Sequence, residues 1–167
     1  KGSPITVWNK LFKRGVLKEV RFIKDKEYED IYFLLEWIKF TNRFGRIPYH
    51  GYYYIIRSGS ITNPRYFNDK IFDLILSSQK NLQEIKKLYP NAINAAEFKL
   101  FRAYISTANQ LIACIDINEH KEFCKKLQNS LKKYLFNISK NPYLTWKQKL
   151  KLILLSLNFD VYAYLKK

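Results

Sequence analysis

From Tyr66 to Leu157 apolar residues recur at helical spacing in segment after segment, and this periodicity constrains the fold more than any other feature. Phe67, Ile71, Leu74, Ile75, Leu82, Ile85 and Leu88 mark one amphipathic helix, stopped at Tyr89-Pro90-Asn91. Phe101, Tyr104, Ile105, Ala108, Leu111, Ile112 and Ile115 mark a second, ended by Asp116-Ile117-Asn118. Phe123, Leu127, Leu131, Leu135 and Ile138 predict a third as one continuous run, before Asn141-Pro142 breaks the pattern. Thr145-Trp146-Lys147-Gln148 has capping-box form and opens a fourth helix through Leu157. A last turn or short helix carries Val161, Tyr162 and Leu165. Helices joined by such short breaks pack antiparallel.

The first 64 residues read differently. Leu11, Phe12, Val16 and Leu17 predict a short helix ending near Gly15–Lys18, followed by an extended piece through Val20-Arg21-Phe22-Ile23. A polar loop, Asp25-Lys26-Glu27, leads to Tyr28-Glu29-Asp30. After it Ile31, Leu34, Leu35 and Ile38 predict a helix with one apolar face, running to about Arg43 and closed by Gly45. Gly51 to Arg57 is aromatic and β-branched and predicts a strand, ended by the Ser58-Gly59-Ser60 turn. The expected fold is mainly α with one or two short β strands.

The chain has 167 residues, enough for a real core, and 47% of them are hydrophobic. Thirty Lys and Arg stand against 14 Asp and Glu, a net charge of +16, which favours a polyanionic partner: nucleic acid, an anionic membrane surface or phosphorylated ligands. Cys114 and Cys124 make no disulfide framework, so a reducing cytoplasm is the expected location. No apolar run is long enough to span a bilayer, and no signal peptide is visible. The opening Lys1-Gly2-Ser3-Pro4 reads as a cut edge rather than a natural start.

Few residues suggest chemistry by their own pattern. Glu29 and Asp30 fall where a helix begins, where free N–H groups and the helix dipole favour carboxylates. They are either an acidic first turn or carboxylates at a cleft edge that take a proton from an attacking group. Arg57 at a strand end is either a solvated edge residue or a partner for a phosphate. Cys114, Asp116, Glu119, His120 and Cys124 lie close in sequence, and His120 and Cys124 share the spacing of a zinc pair, but no Cys-x-x-Cys accompanies them. His50 is a turn residue or a metal or phosphate contact. Near the C-terminus Lys147, Lys149, Lys151, Lys166 and Lys167 flank Trp146, Leu150, Leu152 to Leu155 and Tyr162, which suits either an anionic membrane surface or a core helix with a basic outer face.

Four segments then stand in series: Val7-Trp8-Asn9-Lys10-Leu11-Phe12-Lys13-Arg14; Arg21-Phe22; Tyr28-Glu29-Asp30-Ile31-Tyr32-Phe33; and Tyr52 through Thr62. In order and spacing they resemble the C-terminal half of bacterial family-two glycosyltransferases of the GT-A fold. The resemblance covers residues 5–64, and beyond them persists only as a helical tail of similar character. It implies that residues 1–64 close an α/β catalytic domain on its acceptor side and that 65–167 form a helical subdomain. It also implies transfer of a sugar from a nucleotide-sugar donor to a saccharide or lipid-linked saccharide acceptor, in surface polysaccharide synthesis, with inversion.

By that resemblance Asp30 is the general base and Glu29 positions the helix or the acceptor. Arg57, Ser58 and Ser60 hold the donor diphosphate. Tyr52, Tyr54 and Trp8 bind the acceptor, with Trp8 and Asn9-Lys10 towards the donor side of the cleft. The family's donor half, with its Asp-x-Asp motif for a divalent metal (Mg or Mn), has no counterpart here, and no Gly-rich phosphate loop occurs. The resemblance therefore implies a fragment, inactive alone, with no metal of its own, working in the cytoplasm at the inner face of the cell membrane. The alternative is a basic helical module that binds nucleic acid or an anionic membrane without catalysis.

Overall fold

The computed structural model describes residues 6–49, 51–53, 55 and 64–166. Seven α-helices run through the described residues: α1 Glu29–Ile38, α2 Asp73–Leu88, α3 Ile93–Ala113, α4 Lys121–Lys132, α5 Leu135–Lys140, α6 Trp146–Leu157 and α7 Phe159–Lys166. The fold is mainly helical, as the periodicity predicts.

The centre of the molecule is α3, about 31 Å long at 1.5 Å per residue. Its Leu100, Phe101, Tyr104, Ala108 and Leu111 are fully buried. They meet Ile71, Ile75 and Leu82 from the α2 side, Leu127 and Leu131 from α4, Ile138 from α5, and Leu152 and Leu155 from α6 in one continuous core. Several polar groups inside this core are partnered, although the buried Thr107 hydroxyl makes no hydrogen bond among the described residues. The Tyr104 hydroxyl bonds Ser130 and accepts from the Gln79 amide, and burial pushes its pKa up to about 12. Glu97 accepts from the Asn137 and Asn141 amides at 2.7 and 3.4 Å.

The breaks have local causes. Pro90 cannot continue α2 and opens a single 3-10 turn, Pro90–Ala92, that feeds α3. The side chain of Asn68 accepts from the Lys70 N–H and starts the 3-10 turn Asp69–Phe72 that precedes α2. Where α3 ends, the Asp116 carboxylate accepts from the Phe67 N–H at 2.9 Å, and the Ile115 N–H donates to Arg65, closing the two ends of the α2–α3 pair. At the start of α6 the capping box forms as expected: Thr145 accepts from the Gln148 N–H and Gln148 from the Thr145 N–H.

Several expectations are corrected. The continuous third helix is two helices, because the chain turns at Lys133–Tyr134 while its apolar period carries on through the turn. α1 stops at Ile38, five residues short of Arg43. Its last carbonyls are taken by the tight bonds Lys39 to Glu36 and Phe40 to Trp37, and by the Thr41 hydroxyl on Trp37. The short N-terminal helix is one 3-10 turn, Arg14–Leu17. Val20–Ile23 is not a strand. Of the strand expected over 51–57, Gly51–Tyr53 and Ile55 are exposed and irregular, and the other positions lie outside the described residues. Among the described residues there is no strand, so the β part of the expected fold class is not found there.

Candidate functional site

α1 has two apolar sides, not one. Ile31 and Leu35 are buried on the side whose helical phase also includes Leu34 and Ile38. Phe33 and Trp37 lie on the opposite side with Asp30, two apolar positions that the single-stripe reading left out. Phe33 packs on Phe12 edge-on and stacks on Phe22 with ring centroids 4.3 Å apart, while Trp37 meets Phe12 and Phe44 edge-on. The N-terminal segment is thereby folded onto the outer face of α1.

Asp30 joins the same face. Its Oδ2 accepts the backbone N–H of Val7 at 3.1 Å, so it does not cap its own helix but pins a segment 23 positions upstream. The next residue, Trp8, is 40% exposed and stacks on Tyr52, ring centroids 4.3 Å apart and 27° between planes. Trp8 is therefore not a core residue. Lys10 donates to the Thr6 carbonyl and to Asn9 Oδ1; burial pushes its pKa down, with the negative charge of Asp30 acting the other way. Beside these residues opens a cleft of about 510 Å³, walled by Trp8, Phe12, Val20, Phe22 and Phe33 and carrying the charges of Lys10 and Arg21.

The helix start itself is held under strain. Tyr28 occupies the left-handed backbone region (φ 58°, ψ 33°), which costs a non-glycine residue about 1 kcal/mol. Two ties bracket it. The Gln110 amide of α3 donates to the Tyr28 hydroxyl at 2.9 Å, and the buried Asp73 of α2 accepts the Glu27 N–H at 3.1 Å and pairs with Lys26 at 3.3 Å. Burial pushes the Tyr28 hydroxyl up. Glu29, half-buried, stands in the first turn with Asp30.

Of the residues expected at a site, Trp8 and Tyr52 stack on each other, and Asp30 holds the backbone of Val7, the residue before Trp8. Tyr54, Arg57, Ser58, Ser60 and His50 lie outside the described residues. The zinc-like cluster does not converge. The Cys114 thiol donates to the Gln110 carbonyl and is buried. Burial pushes Cys124 up to about 11, and Asp116 is engaged by Phe67 and lies 3.6 Å from His120. Among the described residues no three His, Cys, Asp or Glu side chains gather as metal ligands.

One residue that sequence reasoning missed is Lys99 of α3. It is half-buried by surface area but enclosed by protein on most sides. Burial, with the neighbouring charge of Lys10 adding to it, pushes its pKa down to about 8. Its position beside the core residues Ala96, Leu100 and Ala103 on the α3 wheel was the available signal. The chain matches no protein-family model, no curated protein and no solved structure.

Proposed function

We propose that this chain is the C-terminal, acceptor-side portion of an inverting glycosyltransferase of the GT-A type, with Asp30 as its general base. The observation that carries the reading is that Asp30 holds the Val7 N–H while the next residue, Trp8, stacks on Tyr52, so that three separate motif segments are linked. The strained, doubly tied helix start at Tyr28 supports it further, since backbone strain is retained where a side chain must be held in place.

In this reading the Val7 N–H fixes Asp30 through Oδ2 and leaves Oδ1 to receive a proton. As the acceptor hydroxyl attacks the anomeric carbon, Asp30 takes its proton, the new glycosidic C–O bond forms, and the bond to the nucleoside diphosphate breaks on the opposite face. The configuration inverts because attack and departure are on opposite sides. The Trp8–Tyr52 stack offers an aromatic wall on which a sugar ring can lie. Donor diphosphate binding by Arg57, Ser58 and Ser60 belongs to the proposal by resemblance alone. A divalent metal, in this reading, is held by the preceding half of the enzyme.

The experiment is transfer by the full-length gene product with labelled nucleotide-sugars and a lipid-linked acceptor, comparing the natural enzyme with Asp30→Asn. A loss of about a hundredfold or more in transfer, with the fold intact, supports a base at this position. Retained transfer removes it.

A further inference from the structure

The two C-terminal helices turn apolar stripes outward. On α6, Trp146, Leu150 and Leu157 recur at four and seven residues and are all exposed, Trp146 by 69%. On α7, Val161, Tyr164 and Leu165 recur at three and four residues and are also exposed, Tyr164 by 79%. One residue separates the helices. Asn158 donates its N–H to the Leu154 carbonyl, and its side chain accepts from the Val161 N–H, so the two helices are fixed to each other. The opposite sides of both helices are used up in the core, through Leu152, Leu155, Phe159 and Tyr162.

The edges of these stripes are cationic. Lys147 and Lys151 stand on one shoulder of α6 and Lys149 on the other, by helical phase. Lys166 closes α7, and Asp160 is the one carboxylate from Leu135 to the chain end. The Lys147 ammonium lies over the Trp146 ring at 5.6 Å, and the Lys140 ammonium over the Phe136 ring at 4.2 Å. Aromatic rings level with ammonium groups are what a lipid interface selects, the ring entering the acyl boundary while the amine stays at the phosphates. Protein interfaces, by contrast, are depleted in lysine relative to the rest of the surface. No described helix is long and apolar enough to cross a membrane.

We propose that α6 and α7 form an in-plane docking surface for an anionic phospholipid bilayer, with Trp146, Leu150, Leu157, Tyr164 and Leu165 inserted and the flanking lysines on the headgroups. Such binding combines apolar insertion with attraction to anionic lipid and weakens with salt. It requires no catalysis and stands or falls apart from the glycosyltransferase reading.

The test is flotation of the 167-residue chain with phosphatidylcholine vesicles, with and without about 30 mol % phosphatidylglycerol, at about 0.1 M and about 1 M salt. We expect binding to the anionic vesicles at low salt and little to the neutral ones. Trp146→Ala with Leu165→Ala, and separately Lys147→Glu with Lys151→Glu, should each weaken it about tenfold or more. All four positions are exposed, so the fold should survive, which circular dichroism checks. Equal binding to neutral vesicles, unchanged binding by either double variant, or a dimer formed through Trp146 in place of vesicle binding would each overturn the proposal.

Discussion

The Asp30 carboxylate and the Val7 backbone N–H are 3.1 Å apart and form a bond that ties the acidic turn of α1 to the segment carrying Trp8. Asparagine in place of Asp30 keeps an oxygen that can accept this N–H but cannot take a proton. Asp30→Asn should therefore change unfolding free energy by only about 0.5 kcal/mol, the share of a charge at a helix start. Transfer by the full-length protein should fall about a hundredfold or more. Asp30→Ala should lose the same activity and also about 1 kcal/mol of stability, since Val7 then lacks its acceptor. Urea unfolding and transfer assays on both variants separate clamp from base. If Asn is as active as Asp, the carboxylate is a clamp only.

The Trp8–Tyr52 stack makes a second prediction. Offset aromatic pairs contribute about 0.5–1.5 kcal/mol beyond their buried area. Tyr52→Ala should lower stability by about 1 kcal/mol and shift the tryptophan emission, while Tyr52→Phe should do neither. In the transfer reaction the alanine variant should raise acceptor KM more than it lowers kcat, because a stacking wall acts on the bound ring and not on the moving proton. A kcat loss with unchanged KM would remove the wall from the acceptor site.

Lys99 gives a pH prediction. Its folded pKa of about 8 lies below the ordinary lysine value of 10.5. Between those values the unfolded chain holds a proton that the folded protein has released, so this group makes stability rise with pH across that window. Below it the full cost of a buried cation is present. Lys99→Met, of similar volume, should therefore stabilise the protein by about 1–3 kcal/mol near pH 7, with the gain shrinking towards pH 10. Urea midpoints at several pH values read this directly. A variant no more stable than the natural chain at neutral pH would show that the amine is not desolvated.

Much of the fold was legible because helices carry their own signals. Pro90, Asn141-Pro142 and the Thr145–Gln148 box act through neighbours in sequence, and each break or cap falls where those residues put it. The split at Lys133–Tyr134 was not legible, since Leu127, Leu131, Leu135 and Ile138 keep the apolar period across it. A strand is a different matter: the tyrosine-rich run from Gly51 has the composition, but a strand exists only when another backbone pairs with it. The site was half legible. The acidic pair marked the helix start, yet the second apolar side of α1, with Phe33 and Trp37, depends on Phe12 and Phe22 arriving from elsewhere in the chain. For Lys99 the α3 wheel gave a local signal of burial, but the nearby charge of Lys10 comes from a distant part of the chain and no local pattern records it.

The capping box at Thr145 links helix stability to the C-terminal surface. Thr145 accepts the Gln148 N–H at 3.3 Å, and Gln148 accepts the Thr145 N–H at 2.9 Å, satisfying two groups that α6 would otherwise leave open. Thr145→Ala should cost about 1 kcal/mol, and Thr145→Ser much less, because the hydroxyl is what the N–H needs. The loss should appear first as faster amide exchange in the opening turn of α6, where Trp146 sits. The buried Leu152 and Leu155 hold the later turns to the core. Exchange that rises uniformly over the whole chain would mean that α6 unfolds only with the entire core, and that the cap acts on global stability alone.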